Sequence, residues 1–201
     1  MGDASTAMMV LIHPPVYVLK ALANLYVMIY ALLSMRDKES IEGKHVTEKG
    51  VLFRLLTQKV DEIVNNKQDR DENLKAICKL LKANVSYYDW VGFYIVDEKR
   101  QNELLLGPFE GQPTEHMQIP FGRGICGQAA ELRKTFIVQD VSRETNYLSC
   151  NPNVRSEIVS PIFKKGEVVG ELDIDSHAYS PFTDEDEAFL KKIGEMVSKL
   201  F

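Results

Sequence analysis

Two cysteines stand in settings that favour redox chemistry. Cys126 follows a glycine-rich turn at the predicted start of a small-residue helix, where the helix dipole and free N–H groups favour a thiolate. Cys150 lies in a polar loop rich in turn-forming residues. Two such thiols, distant in sequence and each expected to be locally exposed, suit a nucleophile and a resolving partner better than a packed core.

The third cysteine, Cys78, lies on the apolar stripe of a predicted helix, and we expect a small buried hydrophobe there. Three cysteines without a C-x-x-C pair indicate neither a disulfide scaffold nor a closed zinc site. This cysteine usage fits a reducing compartment, so we expect a cytoplasmic protein.

Two carboxylates share one face of a predicted strand, because Asp173 and Asp175 lie two residues apart. Such a pair repels unless it meets a cation, a metal or a proton, and its apolar neighbours disfavour a solvated edge strand. A ligand with an ammonium group fits better than a metal, since His177 lies on neither the right face nor at an established ligand spacing. One of the pair could hold a proton at neutral pH and donate it.

Three further residues are expected near this face. Glu157 precedes a strand that should neighbour the Asp173 strand, so a third carboxylate would converge on the same pocket; an ordinary solvated loop glutamate stays open as the alternative. Trp90 and Tyr94 lie on one side of a predicted central strand with only Gly92 between them. Such an aromatic pair is more often core, but the gap at Gly92 leaves room for a small ligand.

Hydrophobic periodicity predicts the elements that position these residues. Apolar residues at three- and four-residue steps predict two helices before residue 85, capped by Thr47 and Asp71. A third helix follows the glycine-rich turn, and a fourth begins at a capping box of Thr183 and Asp186. Period-two segments predict strands at 91–96, 103–109, 117–120, 136–138, 158–163 and 167–175. We expect an α+β fold with a central antiparallel sheet of about six strands and helices packed on one face.

The loop over residues 140–155, which holds Cys150, is longer than most structureless loops in compact domains. Loops of this length are usually functional.

Residues 1–45 differ in character from the rest of the chain. Residues 16–33 are mostly apolar, but Lys20 and Asn24 share one helical face, which argues against a membrane-spanning helix. We expect an apolar helix that packs on its own domain or on a second subunit, followed by a polar linker. A membrane tether and a natural start at Met35 stay open, as does a homodimer. The expected domain begins at residue 46 and runs to residue 201.

Charge excludes one class of partner. The net charge is -5 with a pI near 5.5, and lysines and arginines are scattered rather than gathered into a stripe. Such a surface does not hold phosphate backbones, so we expect no nucleic acid as a partner.

Six short motifs, each weak alone, are specific in their order and spacing. They are Trp90-x-Gly92-Phe93-Tyr94, Leu106-Gly107-Pro108-Phe109-x-Gly111, Ile119-Pro120-x-Gly122-Arg123-Gly124-x-Cys126-Gly127, Ser156-Glu157-Ile158-Val159-x-Pro161, Leu172-Asp173-Ile174-Asp175-Ser176 and Phe182-Thr183-x-Glu185-Asp186. The series resembles the stand-alone GAF-domain free methionine-(R)-sulfoxide reductases, from about residue 46 to residue 201. Residues 1–45 lie outside the resemblance and inherit nothing from it.

The resemblance implies a GAF-like catalytic domain and a role for each candidate residue. Cys150 would be the nucleophile and Cys126 the resolving thiol. Glu157, Asp173 and Asp175 would hold the amino acid and polarise the sulfoxide, with Asp175 and Glu157 also serving catalysis.

By the same resemblance, Trp90 and Tyr94 would form the apolar wall for the S-methyl group. Members of the family often carry a further cysteine just before the Ile-Pro strand, where this chain has His116. The resolving role therefore falls to Cys126 or to an external thiol, and His116 is interpreted as a surface residue without a redox role.

The chemistry of sulfoxide reduction suits these residue types. A thiolate attacks sulfur while an acid protonates the departing oxygen, and a carboxylic acid beside another carboxylate supplies that proton. Cys150 would pass to sulfenic acid with release of methionine, and Cys126 would condense with it to a disulfide. An external dithiol such as thioredoxin would restore the pair, and no bound cofactor is required.

The main rival is a non-catalytic GAF module that binds a small ligand or senses redox state. Such modules usually regulate an attached output domain, and the 201 residues leave only about 45 before the expected domain and none after it. We therefore expect an oxidoreductase acting on free methionine sulfoxide.

Overall fold

The computed structural model describes residues 47–97, 99, 100, 102–148 and 151–201. Four helices form in this part of the chain: α1 (Glu48–Val64), α2 (Arg70–Asn84), α3 (Gly124–Leu132) and α4 (Asp184–Val197). The predicted N-terminal helix and linker, residues 1–45, lie outside the described residues. No helix that the structure describes combines the length and the apolar character needed to cross a membrane.

Polar side chains begin these helices largely where the sequence predicts. The Thr47 hydroxyl accepts the N–H of Gly50 at 2.9 Å and caps α1. The predicted cap of α2 is wrong by two residues: Asp69, whose backbone is extended, accepts the N–H of Glu72 at 2.9 Å, while Asp71 already lies in the first helical turn. The capping box of α4, formed by Thr183 and Asp186, is present as predicted.

Six antiparallel strands form one sheet in the order β3-β2-β1-β6-β5-β4. The strands are β1 (Trp90–Val96), β2 (Glu103–Glu110), β3 (Gln118–Pro120), β4 (Phe136–Val138), β5 (Ser156–Lys164) and β6 (Glu167–Ser176). Strands β1, β6 and β5 lie in the interior of the sheet, and the apolar sequence of β1 suits this position. The expected fold class is confirmed.

Helices cover both faces of this sheet, so the distribution differs from the predicted single face. Helices α1, α2 and α4 pack on one face over a large apolar core that includes Phe93, Leu172 and Ile174. The shorter α3 packs on the opposite face, against β5 and β6. Its small side chains, such as Ala129 and Ala130, allow this close approach. The Cys126 thiol and the carboxyls of Glu157, Asp173 and Asp175 lie on the face that α3 covers.

Strand register brings the predicted site residues side by side. Asp173 on β6 pairs with Gly92 on β1, and Asp175 pairs with Trp90. On the other side of β6, Asp175 pairs with Glu157 of β5. Residues two apart on a strand share a face, so one patch of the sheet collects these side chains.

Candidate active site

The glycine-rich turn places Cys126 at the third position of α3, in the first turn of the helix, as the sequence predicts. Gly124 begins the helix with a left-handed φ of 65°, which glycine adopts without strain. Asn146, from the long polar loop, accepts the Gly124 N–H at 3.1 Å and donates to the Gly122 carbonyl at 2.8 Å. The loop therefore fixes the backbone on which Cys126 stands.

Cys126 is buried, which corrects the expectation that its thiol is locally exposed. Only 5% of the residue is accessible, because α3 lies against the sheet. Its Sγ donates to Asp173 Oδ2 at 3.4 Å and to Glu157 Oε1 at 3.7 Å. The helix dipole that favours a thiolate is thus opposed by two neighbouring carboxyl groups.

All three predicted carboxyls converge on this thiol's side of the sheet. Glu157, Asp173 and Asp175 are buried, with 5%, 2% and 3% of each residue accessible. The alternatives of a solvated loop glutamate and a solvated edge strand are therefore excluded. Burial without solvent makes each negative charge costly, so the group must share protons or meet a cation.

A fourth carboxyl, Glu171, belongs to the same patch and was missed by the sequence reasoning. It lies on β6 two residues before Asp173, opposite Tyr94 of β1, and is fully buried. Neither of its carboxyl oxygens meets the geometry of a hydrogen bond to a described residue, although the Cys126 thiol is near enough to lower its pKa. The alternation 171, 173, 175 along β6 was the signal that could have revealed it.

Burial and mutual repulsion raise the pKa of every member of this cluster. Burial, followed by the charge of Asp173, holds the pKa values of Glu157, Glu171 and Asp175 well above their usual range. Burial also raises the pKa of Asp173, but only to about 7, because the Cys126 thiol and the Ile174 N–H lower it. Asp173 is therefore the carboxyl that changes charge near neutral pH.

The two aromatic residues are fixed beside the cluster by their polar ends. Trp90 Nε1 donates to the Gln112 carbonyl at 3.0 Å, and the Tyr94 hydroxyl donates to the His116 carbonyl at 3.0 Å. Their ring centroids are 6.4 Å apart. The expected gap at Gly92 is filled by the indole itself, since a Cβ there would stand 2.1 Å from a Trp90 ring carbon.

A cavity of about 30 Å³ opens next to the indole. It is lined by Asp89, Trp90, Gln112, Thr114, Asn151, Val154, Asp175 and His177. Of the predicted site residues that the structure describes, Trp90 and Asp175 line it. Cys150 lies outside the described residues, but Asn151, the next residue in the sequence, is part of the lining.

Asp89 is a second residue that the sequence reasoning missed. Its carboxylate accepts the backbone N–H of His177 at 2.7 Å, and its own N–H donates to the Asp175 carbonyl at 2.9 Å. These bonds hold the end of β6 against the start of β1 at the cavity. A single aspartate before a strand carries no sequence signal for this contact.

One set of donor atoms in the described part of the chain could hold a metal ion. Cys126 Sγ and one oxygen each from Glu157 and Asp173 lie within 4.8 Å of one another. The metal site considered from the sequence involved Asp173, Asp175 and His177, and of these Asp173 belongs to the set.

Cys78 and His116 do not belong to the set of donor atoms that could hold a metal ion. Cys78 is buried as expected, and its Sγ donates to the Pro108 carbonyl at 3.4 Å. Burial raises the pKa of this thiol far above its usual range. His116 is half-buried, and its backbone N–H donates a hydrogen bond to Thr114 Oγ1 at 3.1 Å.

The fold and this site define a GAF-domain protein. Residues 69–200 match the family model described as "GAF domain". The GAF domain-containing protein A of Dictyostelium discoideum is 37% identical over 72% of this chain and 89% of its own length.

The free methionine-R-sulfoxide reductase of Escherichia coli is 36% identical over 60% of this chain and 71% of its own length. The X-ray structure of free methionine-R-sulfoxide reductase from Neisseria meningitidis, in complex with its substrate, superposes with a TM-score of 0.72 at 33% identity. That match covers 81% of this chain and 95% of the other. The chain belongs to the free methionine-R-sulfoxide reductases, a family of oxidoreductases, and the resemblance drawn from the motifs is confirmed.

Proposed function

We propose that this protein reduces free L-methionine-(R)-sulfoxide to L-methionine, with Cys150 as nucleophile and Cys126 as resolving thiol. The observation that carries the proposal is the buried Cys126 thiol in contact with two carboxyls beside a wall of Trp90 and Tyr94. The relatives named for this activity, one of them solved with its substrate, support the choice of substrate.

The carboxyl cluster suits the polar end of this substrate. Buried carboxyls with raised pKa values gain stability from a cation, and an amino acid brings an ammonium group. The indole and the phenol ring offer an apolar surface for the S-methyl group. Glu157, Asp173 and Asp175 therefore bind the ammonium and polarise the sulfoxide, while Trp90 and Tyr94 contact the methyl group.

The first half-reaction transfers oxygen from the substrate to Cys150. The Cys150 thiolate attacks the sulfoxide sulfur and forms an S–S bond to it, while the S–O bond breaks as Asp175 donates a proton and the oxygen leaves as hydroxide. The hydroxide then attacks the Cys150 sulfur, the S–S bond breaks, and methionine leaves. The substrate sulfur is reduced by two electrons, and the Cys150 sulfur is oxidised to a sulfenic acid. Asp175 suits the role of acid because its pKa is raised and because it lines the cavity.

The second half-reaction closes a disulfide and releases water. Cys126 passes its proton to Asp173, which accepts its hydrogen bond, and attacks the sulfenic sulfur. The S–O bond breaks, the S–S bond forms, and the proton leaves with the hydroxide. An external dithiol of the thioredoxin class then reduces the disulfide.

The test is turnover of free methionine-(R)-sulfoxide with dithiothreitol and, separately, with thioredoxin. We expect turnover for the wild type, none for Cys150→Ser, and a selective loss of thioredoxin-linked turnover for Cys126→Ser. Cys78→Ala is the matched control and keeps both activities, since that thiol lies in the core behind the other face of the sheet.

Two results would contradict the proposal. Binding of the sulfoxide without turnover by the reduced wild type would favour a ligand-sensing GAF module. Full thioredoxin-linked turnover in Cys126→Ser would remove the resolving role from that residue.

A further inference from the structure

Glu171 is a buried acid on the face of β6 that α3 covers. Neither of its carboxyl oxygens meets the geometry of a hydrogen bond to a described residue. The same holds for the Oδ1 atom of Asp173, on the same face of β6. Buried polar atoms of this kind call for a ligand, an ion or water.

The thiol beside these acids gives the cluster the geometry of a zinc site. A tetrahedral angle between a Zn–S bond of about 2.3 Å and a Zn–O bond of about 2.0 Å separates the two ligand atoms by about 3.5 Å. Cys126 Sγ lies 3.4 Å from Asp173 Oδ2 and 3.7 Å from Glu157 Oε1. The three donor atoms lie within 4.8 Å of one another, so one ion can reach all of them.

The donor types select the metal. Calcium and magnesium take six or more oxygen ligands, including water, and do not favour sulfur. Zinc accepts one thiolate and two carboxylates and leaves its fourth position open for a water or a further ligand. The buried Glu171 carboxyl lies on the same face of β6, two residues before Asp173.

We propose that Cys126, Glu157 and Asp173 form a binding site for a zinc-class divalent cation, with Glu171 as the supporting carboxyl. Binding displaces the protons that these groups carry and places one thiolate and two carboxylates on a doubly charged ion. The ion uses the carboxyls proposed to hold the substrate ammonium, so the two occupants exclude each other. The metal form is a blocked, resting state in which Cys126 is withheld from oxidation.

The test uses the reduced, full-length protein without chelating thiols and follows binding rather than turnover. Cobalt(II), a spectroscopic substitute for zinc, should give a near-ultraviolet thiolate-to-metal band that zinc(II) bleaches. The band should disappear in Cys126→Ser and persist in Cys78→Ala and Cys150→Ser. Glu157→Gln and Glu171→Gln should each weaken zinc affinity by about tenfold or more in calorimetric titrations.

Three results would overturn the site: a wild type without the band, a band that survives in Cys126→Ser, or a band lost in Cys150→Ser. If Cys126→Ser fails to fold, the two glutamine variants decide, because unchanged zinc affinity in both excludes the carboxyls as ligands. Zinc should also raise the unfolding temperature of the wild type by mass action, and no shift at saturating zinc contradicts binding. None of these measurements depends on sulfoxide reduction, so this site and the proposed function stand or fall separately.

Discussion

At the scale of single residues, the charge of the site depends on which of the four buried carboxyls are protonated. Three have pKa values held well above the usual range, while the pKa of Asp173 is about 7. The difference arises because the charge of Asp173 raises the pKa values of the other three, whereas no neighbouring charge raises that of Asp173, which the Cys126 thiol and the Ile174 N–H lower. One residue of the cluster is therefore charged at mildly alkaline pH and neutral at mildly acidic pH.

This pKa predicts how substrate affinity changes with pH. The ionised Asp173 attracts the substrate ammonium, and protonation below about pH 7 removes that attraction. We expect KM for methionine sulfoxide to rise by up to about tenfold from pH 8 to pH 6, the limit for one group that binds only when ionised. Asp173→Asn should give a high KM without this pH dependence. Asp71→Asn, on the exposed surface of α2, is the matched control, and a pH-independent KM in the wild type would contradict the prediction.

Asp175 should matter for rate more than for stability. It lines the cavity and carries a proton, and a general acid contributes about 10²–10⁴-fold to a reaction. We expect kcat of Asp175→Asn to fall within this range, while its unfolding temperature stays equal or rises because a neutral amide replaces a buried acid. Steady-state kinetics and thermal unfolding check both parts. An unchanged kcat would exclude Asp175 as the acid.

At the scale of elements, substitution of two helical glycines by alanine should change stability in opposite directions. A Cβ on Gly127 of α3 would stand 2.4 Å from the Pro120 carbonyl oxygen, which is backbone and cannot move aside. A Cβ on Gly194 of α4 would meet Ile162 and Pro161 at 3.7 and 3.8 Å, which is ordinary contact. We expect Gly127→Ala to destabilise the protein by about 1–3 kcal/mol and Gly194→Ala to stabilise it by about 0.5–1 kcal/mol.

Urea unfolding measures both glycine variants on one scale. Gly127→Ala should also slow sulfoxide reduction, because the displaced turn carries the adjacent Cys126, whereas Gly194→Ala should keep the wild-type rate. Equal stability changes in the two variants would show that α3 can shift away from β3 without cost.

The helices and strands could be predicted from the sequence because their hydrophobic periodicity is strong. Which element packs against each face of the sheet could not. The period-two pattern of β6 correctly placed Asp173 and Asp175 on one face, yet periodicity alone does not say whether that face is covered. It is covered by α3, a nine-residue helix of small side chains, and this covering is what buries Cys126 and makes Glu171 part of the site. The position of Cys126 at a helix N-terminus was predictable from local sequence, but its burial depended on the packing of α3 against β5 and β6.

At the scale of the whole molecule, the two faces of the sheet have different electrostatic character. The face under α1, α2 and α4 is an apolar core. The face under α3 holds four carboxyls, and no basic side chain in the described part of the chain is among the groups that set their pKa values. Protons on the carboxyls neutralise this face, and the cationic group of a bound ligand can take over that role. Stability and ligand binding are therefore linked to the same protons.

The raised pKa of Glu171 predicts the direction in which folding stability changes with pH. Burial raises its folded-state pKa above the unfolded value, so its stability contribution is fully present at low pH and is lost as pH rises through the folded-state pKa. We expect Glu171→Gln, which keeps the shape without the ionisation, to become more stable than the wild type as pH increases from 4 to 8. Each kcal/mol gained corresponds to an increase of about 2–4 °C in unfolding temperature for a chain of this size.

Asp186 provides a control of opposite sign for this experiment. Burial tends to raise its pKa, but hydrogen bonds from Lys49, Tyr87 and Thr183 lower it overall. Its stability contribution is present above its ordinary pKa and is lost as pH falls, so Asp186→Asn should differ most from the wild type at neutral pH and least under acid conditions. Urea unfolding from about pH 2 to pH 8 measures all three proteins, because the Asp186 contribution is lost only below the ordinary pKa of an aspartate. If the unfolding free energies of Glu171→Gln and the wild type changed in parallel with pH, Glu171 would carry no extra proton in the folded state. Its buried carboxyl would then have to be stabilised as an anion.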